Sequence, residues 1–500
     1  MHPAYGCAAE PRAAREKSEE RGMTSRTVRS VCPKDCPDTC GMLAHVDEGR
    51  VVRVTGDPRH PVTRGFLCGR FQHYEDLIYH PDRLLHPLAR RDKSGSFERI
   101  SWDEALERIA SRLQAIRARR GGAAILPYHY LAHMGIVSNR FADRLWNKLG
   151  TARVGMEICA MAGAEAMLRT LGRLRGAEPQ HLEKTRLYVA WGKNPKETNV
   201  HGHVLLRGIR PFVVIDPRLS ATAAEADLHL RPYPGTDALL ALGLMRILIE
   251  RDWMDARFVA ERTQGFEALR TRALATSLED VARTTRVPRS QIEELACLYH
   301  AHHPGLIHIG VGLQRNANGG EMVASIATLA ALTGQIGTPG GGVLYANMDW
   351  GLADISHAEL RSEPTRFYNM VTLGRDLTRD DAIQALFVYN SNPAATCPDQ
   401  SRVERGLARE DLFVVVHDLF MTDTARFANV VLPACSFAEQ RDLHFSYWHD
   451  QAQINNPAIE PLGEARSNAQ VFRDLARKLA FSEPCFAESD REVIARALEG

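Results

Sequence analysis

The chain has 500 residues and a formal net charge of +1, from 62 Lys plus Arg against 61 Asp plus Glu. That length suits about three domains around a large buried core, and the balanced charge lacks the basic excess that nucleic-acid binding draws on. No apolar run is long enough to span a bilayer; ALLALGLMRILI (238–249) comes nearest and is too short.

Residues 1–26 mix both charges without an apolar stretch, so they read as a disordered tail rather than an export leader, with Met23 an alternative start. This places the chain in the cytoplasm, where ten cysteines point to metal binding or catalysis rather than disulfides. The first structured stretch, VCPKDCPDTCGM (31–42), carries Cys32, Cys36 and Cys40, and Cys68 follows in TRGFLCGR. The spacing C-x3-C-x3-C-x27-C lacks the paired C-x2-C knuckles of most structural zinc sites. Four thiolates match the one-per-iron need of a [4Fe–4S] cluster, and zinc is the alternative. Pro33 and Pro37 keep the loop out of a continuous helix, and Gly41 permits close approach beside it.

Beyond this module the pattern is α/β. Strands are predicted at AAILPYHY (123–130), RLYVAW (186–191), FVVID (212–216), GLIHIGVG (305–312), QALFVYN (384–390) and LFVVVHD (412–418), alternating with helical stretches. The helix after PGTD has Thr236 or Asp237 available to cap its first turn. GTPGGGV (337–343) is a breaker that marks a domain crossing. The alternation argues for doubly wound, mostly parallel sheets.

An internal repeat is visible. VAWGKNPKET (189–198) resembles VYNSNPAAT (388–396), and VVIDPRLSATAAEADLHLRP (213–232) resembles VVVHDLFMTDTARFANVVLP (414–433). Asp216 to Thr222 has the spacing of Asp418 to Thr424, and Asp216 to Asp227 that of Asp418 to Asn429. Two related α/β halves follow, with ligands expected beyond the carboxyl ends of the strands. There the Asn-Pro-x-x-Thr turns offer amides and hydroxyls to phosphates, so a duplicated ligand suits the duplicated unit.

The cysteine module, YHPDRLLHPL, WGKNPKETNVH, DPRLSATAAEAD, GVGLQRNANGGEMVASIATLAALTGQIGTPGGG and TDTARFANVVLPACSFAEQRD together resemble the molybdopterin oxidoreductase family, the dimethyl-sulfoxide-reductase superfamily. The resemblance implies a 27–82 [4Fe–4S] domain, a first α/β domain split into 83–155 and 343–435, and a second at 156–342. Segment 436–500 would return toward the iron–sulfur domain and end in a helix. It further implies a molybdenum or tungsten ion between two pterins, each with a guanine dinucleotide, one per half. Cys159 in GMEICAMAGAEAM is the implied metal ligand, with a packing cysteine as the bland alternative; Glu157 and Glu165 lie near it without an assigned role. Arg70 is the implied basic residue between cluster and pterin. Dinucleotide contacts carry over to Gly192, Asn194, Thr198, Asp216, Arg218, Thr222, Asp237, Gly312, Gln314, Arg315, Asn392, Thr422 and Asp423. His201, His203, His302 and His303 read as structural or surface residues; His444, Trp448 and His449 are candidates for a substrate funnel, though a structural role is the simpler reading.

The resemblance thus implies an oxidoreductase acting on a small molecule, by oxygen-atom transfer or dehydrogenation, that passes electrons through the cluster to a partner protein or subunit. Neither nucleic acid nor membrane is expected as a partner. Relatives continue into a β-barrel-like C-terminal domain over both dinucleotides, which this sequence lacks. A non-redox hydratase and a truncated, non-catalytic iron–sulfur subunit are therefore the alternatives.

Overall fold

Short, apolar, β-branched runs cannot leave either face in water, and the chain covers both. The computed structural model describes residues 25–71, 73–379 and 382–500; residues 1–24 of the expected tail lie outside them. A five-stranded, wholly parallel sheet has the order Leu228–Leu230, Phe212–Ile215, Leu187–Trp191, Gly305–Ile309, Gly342–Leu344. Its side chains alternate between two cores. Leu187, Val189, Trp191, Val213 and Ile215 face one that includes Leu240, Leu244, Met322 and Ile326 of the helices Asp237–Glu250 and Gly319–Leu332. Tyr188, Ala190, Phe212 and Val214 face the other, with Leu182, Leu206 and Trp448. Burial on both faces is what a parallel sheet requires.

The second sheet has six strands in the order Glu98–Arg99, Leu88–Ala89, Val430–Pro433, Phe413–Asp418, Ala385–Tyr389, Ile125–His129. Its last four strands are parallel and its first two antiparallel. Because its strands come from residues on either side of the first sheet, the chain enters it, leaves to build the five-stranded sheet, and returns. Helix Trp102–Arg120, which covers one face, opens with Ser101 accepting the Glu104 N–H at 3.1 Å and closes at Gly121 with φ 81°. Acidic residues in its first turn and arginines in its last suit the helix dipole.

A small antiparallel sheet, Arg26–Val31, Gly41–Asp47 and Arg50–Gly56, carries the cysteine loop. The strands Asp442–His444 and Gln453–Asn455 form a hairpin beside it, where Asn455 Oδ1 accepts the Val31 N–H at 3.0 Å. Helix Asn468–Lys478 then packs into the core of the six-stranded sheet, and Asp490–Ala497 follows. One local expectation is corrected. Neither Thr236 nor Asp237 caps its helix through the side chain: the Thr236 hydroxyl donates to Tyr233 O at 2.6 Å, and Asp237 accepts the Trp191 indole N–H at 2.8 Å. Among the described residues no helix is long and apolar enough to cross a membrane.

Candidate cofactor and active site

Cys32 follows the first strand of the small sheet, Cys40 immediately precedes the second, and Cys36 lies in the loop between them. Cys32 N–H donates to Cys40 O at 2.9 Å and closes the loop. Gly41 is needed there, since an added Cβ would lie 2.9 Å from His60 Cδ2. His60 in turn accepts the Val62 and Thr63 amides at 3.2 and 3.0 Å, shaping the turn that leads to Cys68. All four thiols are free of disulfides. Burial pushes the Cys32 thiol up to about 12 and raises Cys36 and Cys40 by the same cause, with the neighbouring cysteines adding to each rise. Such a site holds thiolates only if cations enter among them.

Among the described residues, His133, Asp442 and His444 bring three possible ligand atoms within 4.8 Å of one another. The histidine–aspartate group has another use: Asp442 accepts Val137 N, Ser138 N, Ser138 Oγ and Leu443 N at 2.5–3.1 Å and so pins the start of helix Ile136–Arg140.

Cys159 lies half-buried between the short strand Arg153–Gly155 and helix Met161–Leu171. Burial raises its thiol and Asp35 adds to the rise, while a Tyr130 hydrogen bond and Arg315 oppose it. Asp35, from inside the cysteine loop, is also raised by burial and hydrogen-bonds Tyr447. The Tyr345 hydroxyl lies 2.8 Å from Gln314 Oε1 and 2.9 Å from Ala160 O, close enough to feel the charge of Cys159. Residues 130–135 tie the centre together: Met134 N–H donates to Pro33 O at 2.8 Å and Ala132 N–H to Asn390 O at 3.1 Å. Cys159 therefore sits among Tyr130, Tyr345, Tyr447, Asp35 and Arg315. Of these, only Arg315 was projected from the sequence; Asp35 stood inside the cysteine motif and was the one other readable signal.

The repeat is realised in matching hydrogen bonds. Thr222 Oγ1 donates to Asn194 Oδ1 at 2.5 Å, and Thr424 Oγ1 to Asn392 Oδ1 at 2.7 Å. The same hydroxyls accept the Lys196 and Ala394 amides at 3.2 and 3.0 Å. Asp227 accepts the Phe212 N–H at 2.7 Å, as Asn429 accepts the Val414 N–H at 2.8 Å. Each Asn-Pro turn thus has the same build at a strand's carboxyl end.

The projected dinucleotide contacts divide accordingly. Thr198, Arg218, Gly312, Arg315 and Asp423 are exposed at these strand ends, and Asp216, Asn392 and Thr422 are half-buried. Asn194 Nδ2 is a buried donor without a partner, the kind of atom a bound ligand would satisfy. Gly192, at φ 61°, lets the turn pass Leu313. Three of the residues instead hold the protein itself. Thr222 is 0 % exposed with its hydroxyl consumed in the turn, Gln314 accepts Gly163 N–H at 2.7 Å, and Asp237 holds Trp191. Arg70 is exposed just after Cys68, whereas Lys193 lies near Cys36 and Asp38 and is lowered to about 8 by burial, with those two groups opposing. His444, Trp448 and His449 are all buried and do not line a funnel; His449 Nε2 donates to Asp38 O at 2.9 Å.

Comparison with known proteins agrees with this layout. The family model described as Molybdopterin oxidoreductase matches residues 83–478, and that of the Molybdopterin oxidoreductase Fe4S4 domain matches 25–80. The probable oxidoreductase YoaE of Bacillus subtilis (strain 168) is 39% identical, over 94% of this chain and 71% of its own length. The F420-dependent formate dehydrogenase 1 subunit alpha of Methanococcus maripaludis is 27% identical, over 91% of this chain and 71% of its own. Among solved structures, acetylene hydratase from Pelobacter acetylenicus superposes with a TM-score of 0.82 at 23% identity, covering 94% of this chain and 72% of that one; this is a likeness of fold.

Proposed function

The chain belongs to the molybdopterin oxidoreductase family, and from that premise we propose that it exchanges an oxygen atom or hydrogen with a small oxygen-bearing substrate at Cys159. It is an oxidoreductase, with a [4Fe–4S] cluster and a molybdenum or tungsten molybdopterin cofactor. We assign the cluster to Cys32, Cys36, Cys40 and Cys68, and one guanine-dinucleotide pterin to each Asn-Pro half. When bound, the metal–pterin group supplies two-electron chemistry that side chains cannot. A thiolate at Cys159 is a suitable soft ligand for its metal.

The observation that carries this reading is the meeting of the cysteine loop and the α/β core in one polar centre, with Asp35 and Tyr447 bonded beside Cys159. Arg315 offers a positive charge to an oxygen-bearing substrate, while Tyr130 hydrogen-bonds Cys159 and the Tyr345 hydroxyl is held by Gln314 and Ala160. Asp35, whose carboxyl is raised by partial burial and hydrogen-bonds Tyr447, is a proton-exchanging group within the same network. The relatives named as formate dehydrogenase subunit alpha and assimilatory nitrate reductase catalytic subunit support both the small substrate and an electron-transfer partner.

Anaerobically purified protein should contain about four irons per chain, pterin, and molybdenum or tungsten, and should reduce or oxidise a viologen dye with one member of a small-substrate panel. Protein with the cluster but neither pterin nor metal would sink the proposal. Cys159→Ala should remove one sulfur from the metal's X-ray absorption signature; an unchanged spectrum would eliminate Cys159 as ligand.

A further inference from the structure

In the strand Asp442–His444 the two end residues leave the same face, while Leu443 between them enters the core of the six-stranded sheet. That face meets the loop 130–135. His133 Nδ1 lies 3.8 Å from Asp442 Oδ2, and the His133 and His444 rings stand 5.3 Å apart between centres. One ligand-type atom from each of the three side chains falls within 4.8 Å of the others. His444 is 0 % exposed, and neither its Nδ1 nor its Nε2 has a hydrogen-bond partner. A neutral imidazole presents one N–H and one lone pair, so this ring buries two polar atoms that nothing in the chain satisfies. Asp442 is equally buried, and its one ion-pair contact among the described residues is His133.

We propose that His133, Asp442 and His444 form a structural site for a divalent first-row cation, with zinc the best match, separate from the cysteine loop. Two imidazoles and a carboxylate without a thiolate are a zinc-type donor set. The bonds from Val137, Ser138 and Leu443 hold the Asp442 carboxylate as ligating carboxylates are commonly held. Gln440 Nε2, 3.0 Å from His133 Nε2, fixes the far side of that ring. His133 Nδ1 also accepts the Gly135 N–H at 3.1 Å, so a cation there competes with one backbone donor. Gln440 lines a surface cavity of about 530 Å³ together with Arg441 and Ser467, which gives an ion a way in. The ion would fasten the loop that carries Tyr130 and Met134 to the hairpin beside the cysteine loop.

This site does not depend on the cluster assigned above, and its test keeps the two apart. The full-length protein is purified anaerobically, treated with excess zinc and desalted before metal analysis. Wild type should keep about one zinc per chain beside its iron, with nitrogen and oxygen neighbours at about 2.0–2.2 Å and no sulfur at about 2.3 Å in the zinc X-ray absorption. His444→Leu and His133→Gln should each lose that zinc with iron content unchanged. Added zinc should raise the melting midpoint of wild type and of neither variant. His133, whose side chain is 12 % exposed, gives the milder variant should His444→Leu not fold. Wild type that retains no zinc overturns the proposal, and so do sulfur neighbours, which would put the zinc in the cysteine loop. Retention of the zinc by either folded variant overturns it as well. So does a His444→Leu protein that melts at or above zinc-treated wild type, because that marks a ring buried without a ligand.

Discussion

At the scale of single residues, similar-looking polar side chains divide between ligand and scaffold. Thr222 and Asn194 both stood out in the sequence as nucleotide contacts, yet Thr222 spends its hydroxyl on Asn194 Oδ1 and the Lys196 amide, while Asn194 keeps a free buried Nδ2. Spacing identifies the unit but cannot say which way a hydroxyl points; that depends on a partner 28 residues away. The distinction is measurable. Thr222→Val fills the same volume but leaves an acceptor and an amide unpaired in the interior, a loss of about 1–3 kcal/mol. The melting midpoint should fall, Thr222→Ser should restore most of it, and Thr424→Val should show the same pattern in the second half. Pterin content per folded chain should stay at the wild-type level. Loss of pterin with an unchanged midpoint would return Thr222 to the ligand side.

At the scale of elements, the strands and their alternation with helices were legible because a doubly covered parallel strand must read as an unbroken apolar run, as FVVI and LYVAW do. The pairing order was not, since it depends on which carboxyl ends can approach. Gly192 and Gly310 follow the neighbouring strands Leu187–Trp191 and Gly305–Ile309, where the two turns cross backbone against backbone. A Cβ on Gly310 would stand 1.8 Å from Gly192 O and 2.9 Å from Lys193 Cα. No side-chain rotation relieves that contact, so one turn must move, and with it Lys193 and Asn194. Gly310→Ala should cost about 3 kcal/mol or more and deplete pterin. Gly208→Ala, where nothing lies within 4 Å of the new Cβ, is the matched control and should leave the midpoint unchanged. Equal behaviour of the two variants would show that the crossing tolerates movement.

At the scale of the whole molecule, the cysteine loop is where distant parts of the chain meet. Met134 N–H bonds Pro33 O, Ser446 Oγ bonds Pro37 O at 2.5 Å, and His449 bonds Asp38 O; Gln453 Nε2 bonds Thr39 O at 2.7 Å, and Asn199 and His201 hold the Asp38 carboxylate. The motif announced four cysteines, but none of these partners, most of which lie 160 to more than 400 residues away, repeats any pattern within it. In the folded chain each bond depends on the loop keeping its shape, and the loop buries thiols that burial alone would keep protonated. Filling it with iron converts an uncomfortable set of buried sulfurs into a rigid anchor, so metal binding and local folding are coupled. Anaerobic removal of iron with a chelator should therefore accelerate amide hydrogen exchange in three separated segments, 131–135, 199–203 and 444–455, together with the loop itself. The strands Phe212–Ile215 and Phe413–Asp418, buried in sheets with their own cores, should keep their protection. Acceleration confined to the loop would mean that its neighbours stand on their own, whereas acceleration everywhere would make the cluster a condition for the fold as a whole.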